Sequence, residues 1–417
     1  MWLMQSRHFV LGVMSLIAMA AVAQPATPGV SLAGTLAAAR DNLEVGLARR
    51  LLQAARADVV AADHAPAPLL TLKASQIDLQ HGVGGGNLLR DKRVDKSVGI
   101  DWLWERGNKR ELRTRQARSS AEAAQADLEE VQVAQQLAAA SAFYDLLAIQ
   151  ERIAQVEALS RSAEQLSATA ARRVRAGDLP QQEAMRTAIE AQRAGAELQS
   201  ALAERQRAQA ALVLLTGLAP SLTAEGGWPA PDSATLPPMP AARADVRAAQ
   251  HRLDAAQAAL DVALALRKSD VTLGSSIDHY PGTSGRLLEV RLQVPLNGVL
   301  GSYGFDGEIG RARAQLDQAQ DQLDKTRRAA AADSQRLQRD LQALAARART
   351  FQRGILPQAR DVAAMAELAY SKGAMSLTEL IDARRTLRNV LLEDVATRAD
   401  HARALAAWQL RNGPASP

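Results

Sequence analysis

The chain contains no cysteine. Disulfides, thiolate metal sites and cysteine nucleophiles are therefore excluded, and so is a lipid anchor on an N-terminal cysteine. Aromatic residues make up only 3% of the 417 positions, too few to fill one large compact core. Beyond the first 23 residues, no apolar run approaches the roughly 18 positions that a bilayer-spanning helix needs. An excess of one charge is missing too. The 50 basic and 45 acidic residues are interspersed, as on solvated helix faces, and no basic run with interleaved aromatics points to nucleic acid.

Catalytic signatures are absent as well. His8, His64, His81, His251, His279 and His401 are scattered, with no pair at ligand spacing, so each reads as a surface or packing residue rather than a metal ligand. There is no P-loop, dinucleotide fingerprint or nucleophile motif. The glycine-rich stretch His81–Gly86 falls between two strand patterns, not before a helix, and reads as a loop. No catalysis, cofactor or metal is expected.

Alanine, glutamine, arginine, leucine and acids fill the space these absences leave, a composition typical of long helices and coiled coils. Residues 1–23 have the pattern of a secretory signal peptide: Arg7 and His8, an apolar run from Phe9 to Ala20, then Ala21-Val22-Ala23 as a cleavage site. The rest reads as a duplication. One fixed offset lays Gly177 on Gly373, Glu183 on Glu379, Arg207 on Arg403, Leu214 on Leu410 and Gly217 on Gly413 without a gap. The first repeat spans 24–218, a Pro/Gly-rich linker 219–240, and the second repeat 241–413. Such a period is too long for a solenoid.

Each repeat has the same predicted order. The first has a helix over 30–64, strands over 69–80 and 94–104, a long helix over 107–176 and a return helix over 180–215. The second has a helix over 241–268, strands over 270–279 and 287–296, a long helix over 307–372 and a return over 376–411. The strands show period-two alternation: Leu288, Val290, Leu292, Val294 and Leu296 on one face, Glu289, Arg291 and Gln293 on the other. The pattern over 107–176 would extend roughly 105 Å at about 1.5 Å per residue. The helices over 30–64 and 180–215 together match that length, so they can stack end to end along it, and the second repeat balances in the same way. A helix this long needs a partner throughout.

Four strands cannot close a barrel in one chain. An exported sheet with one apolar face either inserts as part of a shared barrel or is covered in a small soluble β-domain, and no spare element is available to cover it. Three copies would supply twelve strands, an even number as in outer-membrane barrels. Trp102, Trp104 and Tyr280, near strand ends, suit an interfacial aromatic belt.

The two tip motifs RRVRAGDLPQQEAMRTA (172–188) and YSKGAMSLTELIDARRTL (370–387), the LQVPL strand end (292–296) and the closing LTG and LRNG together resemble the TolC family of outer membrane efflux proteins. The segment WERGNKRELR (104–113) is similar to the heavy-metal, CzcC-type branch. The resemblance implies a mainly α fold with a β-barrel contribution: two tandem units, each a helical hairpin with a β-hairpin, forming a homotrimeric periplasmic tunnel and a shared barrel in outer membrane lipid. It implies a passive exit duct partnered by a periplasmic adaptor and an inner-membrane pump. The adaptor-contacting tip would lie at Gly177 and Gly373, where a positive φ is expected, although a bare turn also explains both glycines. Glu183 and Tyr370 match positions that bond across neighbouring helices to hold a closed gate. Glu379 and Asp382 match acids that ring the narrowest opening. Met375 stands where the family pattern often has a basic bridging residue. Glu379 also completes a capping box with Ser376, a second explanation for it. A soluble periplasmic adaptor or coiled-coil protein, and a duct for type I protein secretion, are the alternative functions.

Overall fold

The computed structural model describes residues 29–82, 84–86, 94–232, 243–280, 287–296 and 303–412. The expected signal peptide, parts of the inter-strand loops, much of the linker and Gly413 lie outside the described residues. The element order is β1 (Gly29–Val30), α1 (Leu32–Ala39), α2 (Leu43–Ala62), β2 (Leu69–Ser75), β3 (Asp95–Trp104), α3 (Lys109–Arg175), α4 (Gln181–Thr216) and β4 (Thr223–Ala224). There follow α5 (Ala244–Ala265), β5 (Val271–His279), β6 (Leu287–Gln293), α6 (Asp306–Thr350), a π turn (Phe351–Ile355), α7 (Leu356–Ser371) and α8 (Leu377–Asn412).

The 67 residues of α3 extend about 100 Å. α2, α4, α5 and α8 pack along it, which supplies the lateral partners that so long a helix requires. Small residues permit the close approach: Ala123, Ala126, Ala139, Ala140, Ala201 and Ala402 are all buried. The largest apolar cluster lies midway, where Phe143, Tyr144, Leu146 and Ile149 of α3 meet Leu212 of α4 and Leu222 of the following segment.

Two helices are interrupted where an unbroken one was expected. The pattern over 30–64 splits at Arg40–Asn42. Asn42 caps α2, its Oδ1 accepting from the Val45 amide at 3.0 Å. Its Nδ2 donates to Gln135 Oε1 at 2.8 Å and to the Leu215 carbonyl at 3.3 Å. A short amide side chain competes with helix continuation, and here it also ties the break to α3 and α4. The second interruption is the π turn within 307–372. Pro357 has no amide hydrogen, and its ring would crowd the Arg353 carbonyl in a regular α-helix. The backbone widens instead, and the Leu356 amide donates to the Phe351 carbonyl five residues back.

The segment after α4 is more structured than a linker. β4 pairs in parallel with β1. The Ala224 amide donates to Gln150 Oε1 at 2.9 Å, and Gln209 Nε2 donates to the Leu222 carbonyl at 2.9 Å. Trp228 stacks on Tyr144 and donates from Nε1 to Glu151 Oε2 at 2.7 Å. Residues 218–232 thus form a strap across the helices.

The four longer strands make one antiparallel sheet in the order β2-β3-β5-β6. Alternation gives it two unlike faces. Leu70, Leu72, Val98, Ile100, Leu273, Ile277, Leu288, Val290 and Leu292 are all exposed on one face. The other face is polar. There Asp101 accepts from Thr71 Oγ1 at 2.9 Å and from Arg291 Nη2 at 2.8 Å. Gly274 makes room for this pair, since a Cβ there would stand 2.3 Å from Asp101 Oδ1. Among the described residues, β2 and β6 end the sheet with unpaired edges.

Candidate functional site

The end of the molecule opposite the sheet is formed by the α3–α4 and α7–α8 turns. Gly177 and Gly373 have φ of +81° and +73°. Both close the same C-terminal motif. The Gly177 amide donates to the Val174 carbonyl and the Asp178 amide to the Arg173 carbonyl, at 3.0 and 2.9 Å. Gly373 and Ala374 repeat this toward Tyr370 and Ala369 at 3.0 and 2.9 Å. The two hairpins therefore end in one backbone design. No heavy atom lies within 4 Å of where a Cβ would sit on either glycine, so the tips are open to solvent.

α8 begins with a complete capping box. The Ser376 amide donates to Glu379 Oε2 at 2.9 Å, and the Glu379 amide donates to Ser376 Oγ at 3.3 Å. The Ser376 amide, with its hydroxyl, holds the Glu379 carboxyl below its ordinary value. Glu379 is thus committed to starting the helix. Glu379→Gln is expected to keep the helix start, whereas Glu379→Ala weakens it, read as a lower Tm.

Glu183 and Tyr370 share no bond within the chain among the described residues. Tyr370 Oη accepts from Arg173 Nη1 at 3.2 Å. Glu183 lies 3.8 Å from Arg186, and its Oε2 is buried without a hydrogen-bond partner. Met375 packs with Tyr370 and Leu166 against Leu377, Leu380 and Ile381, an apolar contact. Asp382 is exposed, 3.6 Å from Arg385.

A ladder of charges that the sequence reading missed joins α4 to α8. Arg385 pairs with Glu190, Arg388 reaches Glu197 at 3.6 Å, and Arg186 donates to Thr378 Oγ1 at 3.2 Å. The Arg385 guanidinium holds the Glu190 carboxyl below the usual range, against a smaller opposing effect of burial. The rungs bridge a groove floored by Leu159, Ala163, Leu166, Ala194 and Ile381. Its signal was available: Glu183, Glu190, Glu197 and Glu204 recur at heptad spacing on α4.

At the sheet, Trp102 and Trp104 stand exposed on the apolar face. Tyr280, the third residue expected in an aromatic belt, lies at the other end of the strands and lines the polar face with Asp95, Asp278 and Glu289. Its position explains this, because residue 280 is in phase with Ser276 and Asp278. Among the described residues no His/Asp/Glu cluster suits a metal, and no helix is long and apolar enough to cross a membrane.

The long helical hairpins and the single half-apolar sheet they carry define a fold class: TolC-like, mainly α with one four-stranded β-sheet. No protein-family model matches the chain. The chain is 26% identical over 294 residues to the cobalt-zinc-cadmium resistance protein CzcC of Cupriavidus metallidurans, covering 68% of each. Its fold matches the outer membrane protein VceC of Vibrio cholerae, with a TM-score of 0.74 and 19% identity over 92% of this chain and 96% of that one. It also matches CusC, with a TM-score of 0.77 and 18% identity over 94% and 96%. In fold and in sequence the chain resembles the TolC family of outer membrane efflux proteins.

Proposed function

We propose that the chain is the outer membrane exit duct of a tripartite efflux system, a passive conduit working with a periplasmic adaptor and an inner-membrane pump. The observation that carries this is the sheet: an exposed apolar face and a polar opposite face, with both edge strands unpaired among the described residues. A lone soluble sheet of this kind would aggregate. Three copies joined edge to edge remove the edges and give a twelve-stranded barrel with a polar lumen. Trp102 and Trp104 then lie at the lipid interface, and Gly177 and Gly373 form the end that meets the adaptor. Asp382 rings the periplasmic opening, with Glu379, Glu183 and Tyr370 close by. Metal cations are the favoured cargo, on the likeness to a cobalt-zinc-cadmium resistance protein.

The test is fractionation followed by export. A duct stays in the outer membrane through alkaline extraction, and cells lacking it become sensitive to cobalt, zinc or cadmium. Release by alkali sinks the duct in favour of a soluble coiled-coil protein. Membrane retention with unchanged metal tolerance rejects metals as the cargo.

A further inference from the structure

The π turn is the point where α6 and α7 depart from one continuous α-helix. π turns of this kind are single-turn bulges inside α-helices, and sharp bends concentrate at them. Gly354 sits inside the turn with open space around its Cβ position. Pro357 follows directly, so the backbone there lacks one helical hydrogen bond. The helix is weakest here.

Two features from elsewhere in the fold converge on this turn. Asp232 of the strap pairs with Arg353 inside the turn and with Arg349 just before it, the latter at 3.4 Å. Higher up, the strap is anchored to α3, α4 and α8 through Gln150, Gln209 and the Trp228 ring stacked over Arg398. The turn is thereby tied to the rigid middle of the molecule. The other feature is the seam on α8. Arg347 donates to Glu393 Oε1 at 2.9 Å, so α8 runs alongside the turn. Three of its inward residues there are polar: Asp394, Thr397 and His401 are at most 3% exposed, beside the small apolar Val395, Ala399 and Ala402. Each of the polar three has one side-chain atom without a hydrogen-bond partner. A seam of this composition gains less from staying closed than an apolar one. Beyond the turn, Met365 and Leu368 of α7 are exposed, and its buried positions, Ala359, Ala363 and Ala366, are small, so α7 itself buries little apolar bulk that a swing would uncover.

We propose that the Phe351–Ile355 turn is the pivot about which the α7–α8 end moves, and that Asp232 of the strap is the clamp that holds this pivot at rest. This rests on the duct reading above. Opening then requires Arg353 and Arg349 to leave Asp232. The pairs are partly exposed, and exposed pairs contribute modestly, so the clamp sets a bias rather than a lock.

The test uses the full-length purified protein in planar bilayers, in potassium chloride without partners. Asp232→Asn, and separately Arg349→Gln with Arg353→Gln, are expected to raise resting open probability about threefold to fivefold. Gly354→Ala fits the space available and stiffens the turn, so adding it to Asp232→Asn returns gating toward wild type. A spin label at Met365→Cys, clean because the chain has no cysteine, reads inter-protomer distances at the tip. Asp232→Asn should broaden that distribution. Unchanged gating or an unchanged distribution, in variants that assemble normally, overturns the clamp. Failure of Gly354→Ala to reverse the effect overturns the pivot. Absence of any pore from the wild-type protein rejects the duct reading itself and is distinguishable from both.

Discussion

Val290→Asp combined with Leu292→Asp is expected to abolish heat-resistant oligomers in the outer membrane fraction. Both side chains project from β6 on the apolar face, 75% and 65% exposed. Their register partners on β5, Ser275 and Leu273, share that face. In water, two more carboxylates on an exposed surface would cost almost nothing and would improve solubility. In a bilayer, each charge near the hydrocarbon midplane costs about 2 kcal/mol or more. The same pair of substitutions therefore has opposite consequences in the two settings. Glu289→Gln, on the polar face, is the matched control and should insert normally. If the double variant is recovered as heat-resistant outer membrane oligomers, the apolar face does not meet lipid.

The strands were legible because period-two alternation survives in Leu288 to Gln293 and in Val98 to Trp104, and each residue's face follows directly from it. Val294 and Leu296 continue that alternation past the end of β6 at Gln293, so the pattern alone runs the strand too far. The duplication was legible through Gly177 and Gly373, since only a left-handed residue allows the closing motif both turns use. The interruptions were harder. Asn42 and Pro357 are each an ordinary local signal, but both stand in alanine-rich helical pattern, and the summed propensity of their neighbours outweighs one residue. At the tip, the capping box was legible because it is local. The partners of Tyr370 and Arg385 are not local: Arg173 and Glu190 lie nearly 200 positions away, and nothing in either segment alone specifies which arginine meets which acid. The resemblance pointed to Glu183 and Tyr370; within the chain the charged α4–α8 pairs fall one and two heptads beyond Glu183, at Glu190 and Glu197.

That displacement leads to the second large effect. Glu190→Gln with Glu197→Gln is expected to raise resting conductance about fivefold to thirtyfold and to sensitise cells to large antibiotics. α4 belongs to the first hairpin and α8 to the second, so any widening of the tip must part them. The Arg385–Glu190 and Arg388–Glu197 pairs are the charged rungs between them. Both acids are mostly buried at the side-chain level, at 18% and 23% exposure, so they are better sheltered than surface pairs. Losing both rungs removes on the order of 1–2 kcal/mol, which corresponds to that range of populations. The sign of the pH dependence follows from Glu190. Its carboxyl titrates below the ordinary value in this structure because Arg385 donates to it. Its contribution is therefore complete above the ordinary glutamate range and is lost as pH falls through its lowered pKa. Conductance should stay flat from pH 8 to 6 and rise only under stronger acid, and the double glutamine variant should lose that acid response. Asp382→Ala supplies the contrast. Asp382 is exposed and makes only a long contact with Arg385, so its removal should lower cation selectivity without changing resting open probability. If the double variant instead shifts selectivity and leaves open probability untouched, the acids of α4 line the pathway and do not hold the hairpins together.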